Sequence, residues 1–199
     1  MFFGHRRYNL YSVKILKLNT SSIRIIGGRH KSYRIVFKAS PTLRPTTDRA
    51  KETLFSWLQF ELDNKSCLDL FAGTGSLGLE ALSRGAGHVM FVEKEKSLYK
   101  NILINIDRLG YEDNTQAICS DSFKWLKTNK QKFDLIFLDP PFDKINYKML
   151  IKAIYQSNVL NQGGKVILET NKHTELELNN VQNILKDKTI GDVRLMILQ

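Results

Sequence analysis

From residue 66 onward the chain alternates between two hydrophobic patterns. Six short, nearly continuous apolar runs have the length and the β-branched or aromatic content of buried strands. They are SCLDLF (66–71), HVMFVE (88–93), TQAICS (115–120), FDLIFL (133–138), GKVILET (164–170) and VRLMIL (193–198). Between the first five lie segments with helical spacing, at 76–84, 95–109, 121–129 and 146–158. Strand followed by helix, repeated, predicts βαβ units and a mostly parallel sheet covered by helices on both faces, an α/β fold. Such sheets bind ligands beyond the carboxyl ends of their strands. That rule puts Ala72–Ser76, Glu93, Asp121 and Asp139 along one edge.

Upstream the pattern changes. Residues 22–37, SIRIIGGRHKSYRIVF, give two β-rich runs around Gly27-Gly28 and predict a hairpin. Arg24, Arg29, Lys31 and Arg34 lie on or beside its turn. In PTLRPTTDRAKETLFSWL (41–58), Pro45 punctuates, and Thr46, Thr47 or Asp48 can cap a helix whose apolar face holds Leu54, Phe55, Trp57 and Leu58. Residues 1–20 are basic and aromatic without an acid. They fit a flexible extension, an over-long start or, loosely, an organelle transit peptide. The expected organisation is a basic extension (1–20) and a single domain (21–199), made of a hairpin (21–40) and a catalytic core (41–199).

Composition narrows the class. A chain of 199 residues with 42% hydrophobic and 25% charged content can bury a core of its own. No apolar run nears the length of a membrane span, and the start lacks a secretory signal, so no membrane partner is expected. Cys67 and Cys119 both sit in apolar segments and read as buried structural thiols, which implies a reducing, cytoplasmic setting. The four histidines have no metal-ligand spacing, and no metal is expected. The net charge of +10 is unevenly placed: residues 1–51 hold twelve Lys or Arg against Asp48 alone, and the rest is near neutral. A basic arm on a neutral body suits a polyanion such as nucleic acid; a solubilising tail is the plainer alternative.

Candidate chemistry starts at DLFAGTGSLGLEAL (69–82). Gly73, Gly75 and Gly78 fit G-x-G-x-x-G, a turn that lets a ligand approach the backbone and a helix N-terminus. Glu93, eighteen residues beyond Gly75 at the end of the next strand, is placed for ribose hydroxyls. The pattern fits a dinucleotide or S-adenosylmethionine. Asp69, four residues before Gly73, favours the second, because a carboxylate suits an ammonium and a sulfonium better than a pyrophosphate. Asp121 and Ser122 could meet an adenine amine, or serve only as a helix N-cap.

The segment LDPPF (138–142) ends the fourth run. An exocyclic amine on an aromatic base is a poor nucleophile, since its lone pair is delocalised into the ring. A carboxylate and a carbonyl that accept both of its N–H bonds would expose that lone pair. Asp139 offers the carboxylate, Pro140 a carbonyl on stiff backbone, and Phe142 an aromatic face for stacking. A plain Asp-Pro turn is the alternative. A base in a helix cannot reach such a pocket, so the target must be unpaired or flipped out.

Taken in order, IRIIGG (23–28), LRPTTDRAKETLF (43–55), LDLFAGTGSLGLEALSRGA (68–86) and LDPPF closely resemble the RsmD-type methyltransferases of bacterial small-subunit rRNA. The resemblance covers roughly residues 22 to 199 and implies a Rossmann-like seven-stranded sheet with a small N-terminal β-hairpin. It implies transfer of a methyl group from S-adenosylmethionine to the N2 amine of a guanine in 16S rRNA. By resemblance the loop Gly73–Thr74–Gly75 lines the cofactor pocket with Asp69, Glu93 holds the ribose, and Asp121 and Ser122 lie near the adenine. Asp139, Pro140 and Phe142 form the base pocket. The hairpin basics, with Arg44 and Arg49 of the LRPTTDR segment, face RNA or roof the site. Residues 1–20 have no counterpart, and no C-terminal RNA-binding addition is expected. Target choice then falls to the hairpin, the loops and the shape of a partly assembled subunit, with the protein acting as a monomer. Other readings are an amino-methyltransferase for adenine N6 or a protein glutamine, an NAD-dependent oxidoreductase, and a non-catalytic RNA-binding protein.

Overall fold

Apolar residues alternate between two faces of one sheet, and that alternation sets the layers. The computed structural model describes residues 20–38, 46–141, 145–176 and 183–199. β1 (Thr20–Arg24) and β2 (Arg34–Lys38) form an antiparallel hairpin. Then come α1 (Asp48–Trp57), β3 (Ser66–Asp69), α2 (Ser76–Ser83), β4 (His88–Glu93), α3 (Lys96–Leu109), β5 (Thr115–Cys119) and α4 (Ser122–Thr128). The chain continues through β6 (Phe133–Leu138), α5 (Tyr147–Gln156), β7 (Leu160–Asn171), β8 (Ile184–Ile190) and β9 (Val193–Leu198).

The large sheet runs β5-β4-β3-β6-β7-β9-β8. The first five of these pair in parallel, and β9 is antiparallel to both β7 and β8. Val89 and Phe91 face one side, with the hairpin, α1, α2 and α3. Met90 and Val92 face the other, with α4 and α5. The result is the Rossmann-like, seven-stranded arrangement with helices on both faces that the motifs implied. Strand order reverses beside β3, which has β4 on one flank and β6 on the other, so β3 and β6 flank the topological switch point.

Three local expectations change. The seventh strand, β8, was not foreseen: its sequence ILKDKTI is exposed along nearly its whole length and carries no alternation. Lysines on an outer strand are a common guard against edge pairing. Cys67 is buried as expected, but Cys119 is exposed, because β5 is the other edge strand. The hairpin connection spans nine residues rather than turning at Gly27-Gly28. That stretch docks on the end of α2: Arg29 N–H donates to Ser83 O (2.7 Å) and Ser83 Oγ donates to Gly27 O (2.6 Å). Gly28, at φ +74°, leaves no room for a side chain there, since a Cβ would lie 1.8 Å from Ser83 O.

A buried ion network holds the hairpin to the core. Lys51 of α1 and Glu80 of α2 are both 0% exposed, with Nζ and Oε2 3.8 Å apart. Lys51 Nζ also donates to Arg24 O. Glu80 Oε2 accepts from Ile26 N–H (2.7 Å), and its Oε1 accepts from Arg84 Nε (2.7 Å). The Arg84 guanidinium lies over the Phe55 ring, 5.0 Å from its centroid.

Candidate active site

Each strand end delivers its carboxylate where the strand order predicts. The loop after β3 turns through Gly73 (φ +53°) and Gly75 (φ +78°); Gly75 is the left-handed N-cap of α2, a conformation that favours glycine. Asp69, 2% exposed at the end of β3, accepts from Gly78 N–H inside the first turn of α2 (3.0 Å). Glu93 ends β4 and binds the loop from the side: its Oε2 accepts from Gly73 N–H (2.7 Å) and its Oε1 from Glu95 N–H (2.7 Å). Asp121 caps α4 by accepting from Lys124 N–H, and Ser122 Oγ donates to Leu70 O (2.7 Å). The cap reading of Asp121 is therefore realised, and Ser122 ties α4 to the glycine loop.

Asp139 lies two residues beyond Phe137, which pairs with Asp69 across β3 and β6. Its Oδ2 accepts from Thr46 Oγ1 at 2.9 Å. Thr46 is buried, and the next residue, Thr47, is the N-cap of α1, accepting from Ala50 N–H. The threonine pair of LRPTTDR thus divides two tasks, one capping the helix and one holding the carboxylate. Sequence reasoning saw only the cap, because a partner 93 positions away leaves no local signal. Asp139 Oδ1 has no hydrogen bond among the described residues. Pro140, the next residue, is buried. Phe142 and Arg44 lie outside the described residues, as do residues 1–19.

Burial shifts the carboxylates of the site in one direction. Burial pushes Asp69 up to about 7; the Gly78 N–H opposes this, and the charges of Asp139 and Glu93 add to it. Burial also raises Asp139, with the Thr46 hydroxyl pulling it back down. Burial raises Glu93 against its backbone N–H bonds. Three carboxylates at one switch point favour a cationic ligand, which would relieve them. Ser76 Oγ, buried at the start of α2, has no hydrogen-bond partner among the described residues. Backbone N–H groups, an orphan hydroxyl and ill-solvated carboxylates fit a group with an ammonium, a sulfonium and ribose hydroxyls. Among the described residues, no group of three or more His, Cys, Asp or Glu is arranged for a metal ion, and no helix is long and apolar enough to cross a membrane.

A pH test follows from Asp69. Its folded pKa of about 7 lies above the ordinary 3.8. The stability it contributes is therefore present in full below about 4 and lost as pH rises through 7. Asp69→Asn does not titrate, so its stability relative to wild type is expected to improve from pH 5 to pH 8 and level off beyond. Denaturant unfolding at several pH values checks this. A constant difference would mean that Asp69 is not held near neutrality.

Of the RNA-facing set, Arg24, Arg29, Lys31, Arg34 and Arg49 are all exposed. They do not form one cluster. Arg24 and Arg34 are cross-strand partners, and Arg24 reaches Asp48 at the start of α1 (2.7 Å). Arg29 and Lys31 sit at the turn docked on the far end of α2.

Comparison with known proteins agrees with this geometry. The family model described as conserved hypothetical protein 95 matches residues 23–199. The ribosomal RNA small subunit methyltransferase D of Haemophilus influenzae is 37% identical over 180 residues, covering 89% of this chain and 93% of that protein. The protein of the same name from Escherichia coli is 35% identical over 161 residues, covering 81% and 78%. A solved structure of the putative methyltransferase yhhF from Escherichia coli superposes with a TM-score of 0.80 at 30% identity, covering 90% of this chain and 98% of that one.

Proposed function

The chain belongs to the RsmD family across residues 23–199, and from that premise we propose that it methylates the exocyclic N2 amine of a guanine in small-subunit rRNA. The methyl donor is S-adenosylmethionine, and the substrate is a partly assembled subunit. The observation that carries this reading is Asp139 at the end of β6, with one oxygen held by Thr46 and the other without a hydrogen bond among the described residues.

Asp139 Oδ1 accepts one N–H of the amine and the Pro140 carbonyl accepts the other. Two acceptors draw the nitrogen toward tetrahedral geometry and direct its lone pair away from the ring. Thr46 fixes the rotation of the Asp139 carboxylate, so the open oxygen keeps its aim. With its pKa raised by burial, Asp139 is also suited to take the proton that the nitrogen loses. Phe142 is the aromatic that the sequence supplies for the base face. Asp69, the Gly73–Thr74–Gly75 loop, Ser76, Glu93, Asp121 and Ser122 would hold the cofactor. When bound, S-adenosylmethionine supplies an electrophilic methyl carbon, and the chain's task is to hold the amine in line with it.

The test offers labelled S-adenosylmethionine with naked small-subunit rRNA, with small subunits lacking the modification, and with duplex DNA. Label in the subunit sample is expected. Label in DNA alone would contradict the substrate class.

A further inference from the structure

Beside Asp139, β1, β2 and the start of α1 enclose an open cleft of about 380 Å³. Its polar lining includes Ser22, Arg24, Arg34, Thr46, Thr47 and Asp48. Thr46 belongs both to this wall and to the hydrogen bond with the Asp139 carboxylate, so the cleft and Asp139 share a neighbour.

The charges in the cleft are unbalanced. Arg24 and Arg34 stand directly opposite each other across the hairpin, an arrangement of like charges that costs stability in a strand pair. Asp48 neutralises Arg24 through its Nε. Among the described residues, Arg34 has only a long contact to Ser22 Oγ (3.4 Å). One guanidinium is thus held in place and the other is left for a ligand. The first N–H groups of α1 open on the same side, since Thr47 is its N-cap.

We propose that this cleft binds a backbone phosphate next to the target nucleotide, with Arg34 as the main donor and the outer nitrogens of Arg24 as the second. The inference rests on the RNA reading above and adds where the strand lies. A base whose amine is held by Asp139 keeps its own backbone within one nucleotide of Thr46, and Thr46 lines this cleft. Asp48 competes with the phosphate for Arg24, so affinity at this subsite is set chiefly by Arg34. Arg29 and Lys31 belong elsewhere. They sit at the far end of α2, whose eight residues begin at the glycine loop and run about 12 Å.

The test is steady-state methylation of unmodified small subunits over a range of salt. Arg34→Ala is expected to raise KM about tenfold and leave kcat nearly unchanged. It is also expected to reduce the slope of log KM against log salt by about one. Arg34→Lys restores the slope but only part of KM, because a point charge lacks the guanidinium fork. Lys188→Ala, exposed on the distant edge strand β8, matches wild type and controls for charge alone. Equal thermal unfolding and equal S-adenosylmethionine affinity show that Arg34→Ala is folded. The proposal is overturned if Arg34→Ala keeps wild-type KM and slope, or if kcat falls with KM unchanged. A wild-type protein that methylates no RNA removes the RNA reading and the subsite together. An active wild type with an unaffected Arg34→Ala removes the subsite alone.

Discussion

Asp139→Ala is expected to lose methyl transfer by about a thousandfold or more, while affinity for S-adenosylmethionine stays within about threefold. The variant removes the acceptor that aims the amine and the group that takes its proton. The cofactor contacts assigned above rest on β3, β4 and the starts of α2 and α4, and remain. Thr46→Val is the graded companion. It keeps the shape at a buried position but deletes the donor to Oδ2. The Thr46 bond holds the Asp139 pKa down against burial, so its loss raises that pKa further. Asp139 acts as a carboxylate, so the acidic limb of the kcat profile should move to higher pH, with KM little changed. Thr46→Ser should restore both rate and profile. Full turnover by Asp139→Ala, or an unmoved profile in Thr46→Val, would remove these roles.

The largest effect on stability is expected at Glu80. Glu80→Ala leaves Lys51 buried without its carboxylate and removes the acceptor for Ile26 N–H. Burial already pushes the Lys51 pKa down, with the Glu80 charge opposing that shift. Breaking one side of such a pair costs about 3–5 kcal/mol, which lowers Tm by roughly ten degrees in a chain of this size. Two effects add: Arg84 loses its 2.7 Å partner, and the hairpin loses an anchor, so KM for RNA should rise as well. Asp187→Ala is the contrast. Its pairing with Arg194 at 2.6 Å is more exposed, and its loss should cost under about 1 kcal/mol. Equal, small losses for both variants would mean that the buried network does not secure the hairpin.

What the sequence revealed follows from the range of each interaction. Apolar runs marked six of the seven sheet strands, since a strand buried on both faces cannot hide its composition and the exposed edge strand β5 still carries an apolar run. β8 escaped because it is an edge whose side chains face water. Cys119 looked buried by its neighbours and proved exposed for the same reason on the opposite edge. The carboxylates Asp69, Glu93 and Asp139 could be placed at one edge because strand ends share a side in a parallel sheet. Thr46 and the Lys51–Glu80 pair could not be read this way. Each depends on α1 meeting another element far along the chain, and only packing decides which of its polar residues turn inward. The basic residues of the hairpin looked like one group along the chain. The nine-residue connection separates them, with Arg24 and Arg34 beside the site and Arg29 and Lys31 at the far end of α2.

Identifying the methylated nucleoside decides between guanine N2 and the other amine targets. Small subunits lacking the modification are methylated with labelled S-adenosylmethionine, and their rRNA is digested to nucleosides. Label is expected in N2-methylguanosine, present with wild-type protein and lost with Asp139→Ala. Label in N6-methyladenosine or in protein would keep the fold and the cofactor but contradict the guanine assignment.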